Sequence, residues 1–320
     1  MGKNNKGPKI TEDCLLLPSP PSATSNPIVD THTHLVSTFA AYRQKFKEGR
    51  YETVYEFVRG MYEGRGVEAI VDVWCEAPVR RTWRELADSA LTGEGWGGLK
   101  YWFVMGVHPH DAKHYDDVVE RDILEAMAHP RCVGWGEIGL DYHYDNSPRE
   151  LQQEVLARQL RQAVRLGKPL TIHTREADED IERILKAEVP KDHKIHVHCF
   201  TDTLELAQRL LNHFPNLYIG ITGVITYSSN LNTSAVIRHF AASAPDLPPR
   251  ILLETDAPFM VPANLYGALP PAVKNARLPL SHTAMIPWTA QFVAEVSGGK
   301  WGVEEVMKLG RENARIVYGV

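Results

Sequence analysis

Cysteine is scarce in this sequence. Cys14, Cys75, Cys132 and Cys199 are the only four in 320 residues, far apart and without a CxxC pair. Such spacing indicates neither a disulfide framework nor a structural zinc site. It fits a reducing compartment, cytoplasm or nucleus. No apolar run is long enough for a membrane span or a signal-peptide core, so no membrane association is expected. Lys6 stands where a myristoylation pattern would need Ser or Thr. Positive charge is not in excess either: 35 Lys and Arg face 40 Asp and Glu, a formal net charge of −5. The basic character common among nucleic-acid binders is therefore missing, and a polyanionic substrate would need local positive charge or metal. The chain also lacks a GxGxxG after its first strand-like run and a GxSxG anywhere. A dinucleotide fold and a serine-nucleophile elbow are thereby disfavoured.

What remains is a composition of 43% hydrophobic and 23% charged residues, ordinary for a folded soluble chain. Residues 1 to 27, with the stretch PSPPSATSNP, read as a flexible tail ahead of a single domain over 28 to 320. In that region eight β-rich runs recur: PIVDTHTH, VEAIVDVW, KYWFVMGVHPH, RCVGWGEIG, KPLTIHT, KIHVHCF, NLYIGIT and RILLETDAP. Between and after them, helices are expected at 50–63, 78–91, 116–129, 148–166, 176–187, 202–213, 231–243, 283–297 and 303–317. Leu204, Leu206, Ala207, Leu210 and Leu211 form the apolar stripe of a helix packed on a sheet. The alternation predicts an α/β fold of the (β/α)8 TIM-like barrel type. Two longer connections, 35–66 and the proline-rich 257–282, are placed as loops over an active site.

Within VGWGEIGLDYH, Glu137 interrupts an apolar run, where an unpaired carboxylate would cost several kcal/mol. The polar residues of the other runs suggest its compensation. His32 and His34 end the first run, His108 and His110 the third, His173 the fifth, His198 the sixth and Asp256 the eighth. In a barrel these are the catalytic ends of the strands. Four histidines and two carboxylates suit zinc, manganese or a similar ion, and six ligands exceed what one tetrahedral catalytic zinc needs. Two divalent ions are expected, with Glu137 as a carboxylate bridge and the water between the ions as nucleophile.

The ordered motifs DTHTHL, GVHPHDA, GEIGLDYH, His173-Thr174-Arg175, HCFTD and LETDAP resemble those of the TatD-type metal-dependent deoxyribonucleases, in the amidohydrolase superfamily. The resemblance implies hydrolysis of DNA phosphodiesters, often from the 3′ end. It implies one metal on His32, His34, Glu137 and Asp256, and a second on His173, His198 and the shared Glu137. His108 would then meet the substrate phosphate. Asp256 would be a ligand and could also take a proton from the attacking water. The family's HCFTG becomes HCFTD here, with Thr201 or Asp202 expected to cap the next helix. Its Asn-Glu-Pro segment is represented only by LSHTAMIP, where His282 could fill part of the substrate loop.

Arg175 and Lys113 could each meet phosphate, and Tyr142 is expected at the pocket rim. Trp74 and Trp135 are expected in the core. His110, His114, His143, His193 and His196 are expected as satisfied or solvated histidines, although His196 shares a strand face with His198. Two other functions fit the same chain. One is a small-molecule ester, lactone, amide or phosphoester hydrolase on the same metals. The other is a barrel retained for protein binding through the tail or the 35–66 insertion, since some fungal members of the family are described as interactors of an anaphase-promoting-complex subunit.

Overall fold

The computed structural model describes residues 10–16, 20, 26–243, 248–271, 273 and 275–320. Eight strands form one sheet in sequence order: β1 (Ile28–Thr33), β2 (Val67–Trp74), β3 (Lys100–Met105), β4 (Cys132–Asp141), β5 (Leu170–Arg175), β6 (Ile195–Val197), β7 (Leu217–Ile221) and β8 (Ile251–Leu253). Every neighbouring pair is parallel. The sheet curls until β8 meets β1. That seam is joined just beyond β8, where Asp256 N–H donates to the His32 carbonyl and His34 N–H to the Ala257 carbonyl, both at 2.9 Å.

Helices cover the barrel: α1 (Leu35–Lys45), α2 (Val54–Tyr62), α3 (Thr82–Thr92), α4 (Asp117–Met127), α5 (Arg149–Leu166), α6 (Asp178–Glu188), α7 (Leu204–His213), α8 (Asn232–Ser243), α9 (Ile286–Val296) and α10 (Val303–Tyr318). The strand residues are largely buried on both faces, as a barrel between a packed interior and a helical shell requires. On α7, Leu206, Ala207, Leu210 and Leu211 are buried, the face that its spacing predicted. No helix among the described residues is long and apolar enough to cross a membrane.

Three expectations need correction. Residues 35–66 are not mainly a loop, because α1 and α2 occupy most of the segment. The region read as a tail is not uniformly loose. Glu12–Leu15 forms a 3-10 turn whose Leu15 is buried in the main core, and Glu12 accepts a hydrogen bond from Tyr42 on α1. The rest of that region lies largely outside the described residues. Finally, Thr203 caps α7 by accepting from Leu206 N–H at 3.2 Å, whereas Asp202 Oδ1 accepts from Glu176 N–H at 3.2 Å.

Two bulges matter for function. On β4, Gly136 pairs with Thr171 and Ile138 with Ile172, so Glu137 is an extra residue in its strand. On β1, the partners of Asp30 and Thr33 are Ile70 and Asp72, so one residue of Thr31-His32 is likewise extra. Bulges redirect side chains that strict alternation would place elsewhere.

Candidate metal centre

The strand ends bring together all the residues singled out as ligands. His32 lies in β1, and His34 follows it at the start of α1. Glu137 and His173 lie within β4 and β5, His198 immediately follows β6, and Asp256 stands three residues beyond the end of β8. His108 stands after β3, at the start of the 3-10 turn Pro109–His114. Strand termini thus supply most of the donors, on the rigid part of the fold.

The two oxygens of Glu137 face different partners. Glu137 Oε2 is 3.5 Å from His32 Nε2 and 3.8 Å from His34 Nε2. Asp256 Oδ1 is 3.7 and 3.3 Å from the same nitrogens. Ligand atoms about 2.1 Å from a central ion in a tetrahedron are separated by about 3.4 Å, so these four distances suit one shared cation. Glu137 Oε1 faces the other way, 3.0 Å from His173 Nδ1, 2.7 Å from His198 Nε2 and 3.4 Å from His108 Nε2. Both ring nitrogens of His32 and Nδ1 of His198 are buried without a hydrogen-bond partner. A buried donor or acceptor left unpaired is costly, and ligation would satisfy His32 Nε2. The donor set therefore fits divalent metal.

Electrostatics inside the cluster are strongly divided. Burial would raise Glu137, but His198, His108 and His173 outweigh it and hold the carboxyl well below its usual range. Burial would lower His34, yet Asp256 and Glu137 lift it to about 9. His173 follows the same pattern, burial being outweighed by Asp141 and Glu137, and also reaches about 9. His32 is pushed down to about 4 by burial and by His198. His108 falls to about 4 through burial, despite the nearby Glu137.

Four buried carboxylates outside the expected ligand set support it. Asp30 accepts from Thr255 Oγ1 at 2.7 Å, Thr283 Oγ1 at 2.8 Å and His32 N–H at 3.2 Å. Asp72 accepts from Leu35 N–H and Tyr101 Oη, each at 2.8 Å. Asp141 Oδ2 contacts His110 Nε2 at 2.9 Å and His173 Nε2 at 3.3 Å, orienting the ring whose other nitrogen faces Glu137. Glu254 accepts from Cys199 N–H at 2.5 Å and pairs with His196 Nε2 at 2.8 Å, fixing the turn that follows His198. The signal for these residues was present in the sequence: each is an acidic side chain inside or beside an apolar run, as Glu137 is.

The remaining candidates separate by position. His196 is buried and also contacts Tyr318 Oη at 2.9 Å. His143 pairs with Glu176, and His193 Nε2 meets the Lys168 carbonyl at 2.9 Å. His282 is buried against the Leu15 carbonyl at 2.8 Å and does not line the cleft, so it cannot fill the substrate loop. Trp135 and Trp74 are buried, their indole N–H groups donating to Gln159 and Tyr101. Lys113 turns away to the Asn146 carbonyl. The centre opens into a cleft of about 1370 Å³, with Tyr142, Tyr144, Arg175 and Phe259 among its lining.

Several known proteins resemble the chain. The human 3′-5′ RNA nuclease TATDN2 is 44% identical over 169 residues, 52% of this chain and 21% of the human protein. The 3′-5′ ssDNA/RNA exonuclease TatD of Escherichia coli is 35% identical over 165 residues, 51% of this chain and 60% of that protein. These two matches span about a fifth and three fifths of the relatives' own lengths. The uncharacterized metal-dependent hydrolase YabD of Bacillus subtilis is 28% identical over 299 residues, 92% of this chain and 99% of that protein. Among solved structures, a TatD family hydrolase from Entamoeba histolytica has a TM-score of 0.72 at 19% identity, covering 92% of this chain and 99% of the other. The Escherichia coli TatD homologue YjjV has a TM-score of 0.68 at 24% identity, covering 93% and 100%. Likeness at these identities shows the TIM-type fold. The family model described as TatD related DNase matches residues 29–319, and the chain belongs to that family of metal-dependent hydrolases.

Proposed function

We propose that the chain is a two-metal nuclease that removes nucleotides from the 3′ end of single-stranded DNA or RNA. The observation that carries the two-metal reading is Glu137, whose Oε2 faces His32 and His34 while its Oε1 faces His173 and His198. The 3′-5′ polarity and the nucleic-acid substrate rest on the names of the human and Escherichia coli relatives.

His32, His34, Asp256 and Glu137 Oε2 would hold one ion, and His173, His198 and Glu137 Oε1 the other. Bound divalent ions supply Lewis acidity, bringing water toward ionisation near neutral pH and offsetting phosphoryl charge. Asp256, kept ionised by His34, His32 and His198 against its burial, takes the proton of the attacking water at Oδ2, the oxygen left free when Oδ1 faces the ion. His108 reaches toward Glu137 Oε1 from the cleft and contacts the scissile phosphate. No side chain forms a covalent intermediate. Burial pushes the Cys199 thiol far above its ordinary range, which leaves it a poor nucleophile.

The test is degradation of 5′-end-labelled single-stranded DNA and RNA by the pure protein with Mg²⁺, Mn²⁺ or Zn²⁺. The expected result is a ladder shortened from the 3′ end that disappears with Glu137→Ala. Intact nucleic acid beside rapid opening of small esters or lactones would replace this reading with the small-molecule hydrolase.

A further inference from the structure

We infer that single-stranded substrates are held by their terminal bases and at most two phosphates rather than by a grip along the backbone, so that short oligonucleotides serve as well as long strands. The inference rests on the nuclease reading and narrows it.

The cleft is poor in cations. Among its described lining residues, Arg175 is the one Lys or Arg. Its guanidinium lies 5.0 Å from the Tyr144 ring centroid, at the end of β5 and two residues from His173. Carboxylates dominate the same lining, where Glu176, Asp178, Glu179, Asp180 and Asp202 add to those of the metal centre. Part of that charge is offset. Asp180 pairs with Arg183, Glu176 contacts His143, and burial raises Asp202 to about 6. The balance still disfavours phosphates beyond the one at the metal centre and the one that Arg175 can meet, since charges act over about 8 Å at physiological salt.

What the cleft offers instead is apolar surface. Seven large apolar side chains are exposed among the described residues, and Tyr144, Leu231 and Phe259 of these line the cleft, at 55, 67 and 58% exposure. Aromatic faces stack on any base without regard to sequence. Phe259 follows Asp256 by three residues, and its N–H donates to the Asp256 carbonyl at 2.9 Å, which holds the ring's backbone beside the metal ligand. A strand entering by its 3′ end would place one phosphate at the centre, the next near Arg175, and its terminal bases against Phe259 and Tyr144. Nothing in the described lining rewards greater length.

Salt dependence and chain length test this. A single-strand contact contributes a slope of about −0.7 per neutralised phosphate to the log–log dependence of binding on salt. Two such phosphates predict that kcat/KM falls less than about tenfold between about 50 and 200 mM KCl. KM for a labelled dinucleotide, a pentanucleotide and a long single strand, at saturating Mn²⁺, should agree within about threefold. Phe259→Ala should raise KM for the dinucleotide about tenfold, while Phe259→Tyr, which keeps the ring, should restore it. Leu166→Ala removes an exposed apolar side chain outside the cleft and should leave KM unchanged. The inference is overturned if KM drops steadily with length and activity collapses about a thousandfold over that salt range. It is also overturned if Phe259→Ala leaves KM unmoved. A protein that cleaves no oligonucleotide of any length, yet hydrolyses a small phosphoester, removes the nuclease reading itself.

Discussion

Glu137 is 3% exposed, and five histidines approach its two oxygens. A carboxylate there is tolerable only when several positive or ligating groups converge on it. The same arrangement sets a pH dependence. With His34 and His173 raised to about 9, both imidazoles carry protons at pH 7 when no metal is bound. Metal ligation requires them neutral, so binding must release protons, and affinity should climb as pH rises from 7 toward 9 before levelling off. Calorimetric titration with Mn²⁺ in buffers of different ionisation enthalpy should detect that release; a binding enthalpy independent of the buffer would oppose it. Asp256→Asn keeps the size of the side chain but removes its basicity. A loss in kcat of about 10²- to 10⁴-fold is expected in metal-saturated protein, and a rate within a few-fold of wild type would show that Asp256 moves no proton. The sequence pointed to these residues because each is a polar side chain at an apolar strand's end. The same criterion, applied to Asp72 in VEAIVDVW or Glu254 in RILLETDAP, would have found the buried supports as well.

At the scale of elements, strands were legible from their β-branched and aromatic runs, and most helices from their apolar stripes. The helix α1 was not. Its N-cap is His34, which makes no side-chain cap, and its buried positions Leu35, Thr38 and Tyr42 include a polar residue while Val36, Phe39, Ala40 and Ala41 spread apolar character around the rest. The bulges at Glu137 and near His32 were also hidden, because register depends on the neighbouring strand. Gly136 explains how β4 tolerates its bulge. A Cβ at this position would collide with the Thr171 side chain and carbonyl on β5. Gly136→Ala should therefore cost about 1 to 3 kcal/mol in chemical denaturation and weaken metal binding, since Glu137 must shift with the strand. An unchanged denaturation midpoint would mean that β4 and β5 are free to separate there. Thr203→Ala removes the cap of α7 and should cost about 1 kcal/mol, whereas capping by Asp202, as its place in the sequence suggested, would make that substitution nearly silent.

For the whole molecule, regular alternation of strand and helix predicted the barrel, and the eight-stranded parallel sheet bears it out. What alternation could not indicate is how the barrel is joined between β1 and β8, through bonds from Asp256 and His34 that involve the candidate ligands themselves. Ions held by His32, His34, Glu137, His173, His198 and Asp256 would tie β1, β4, β5 and the turns after β6 and β8 into one unit. Ligand present at about a hundred times its Kd stabilises a fold by about 2.7 kcal/mol. Thermal denaturation should therefore show Tm about 5 °C lower after chelation, with recovery on adding Mn²⁺ or Zn²⁺. The most direct test of the shared carboxylate is elemental analysis of purified protein saturated with one metal and freed of excess, for wild type and Glu137→Ala. The account predicts two equivalents per chain in the wild type and fewer than one in the variant, because both sites lose a ligand together. One equivalent in the wild type, or two retained by Glu137→Ala, would contradict it.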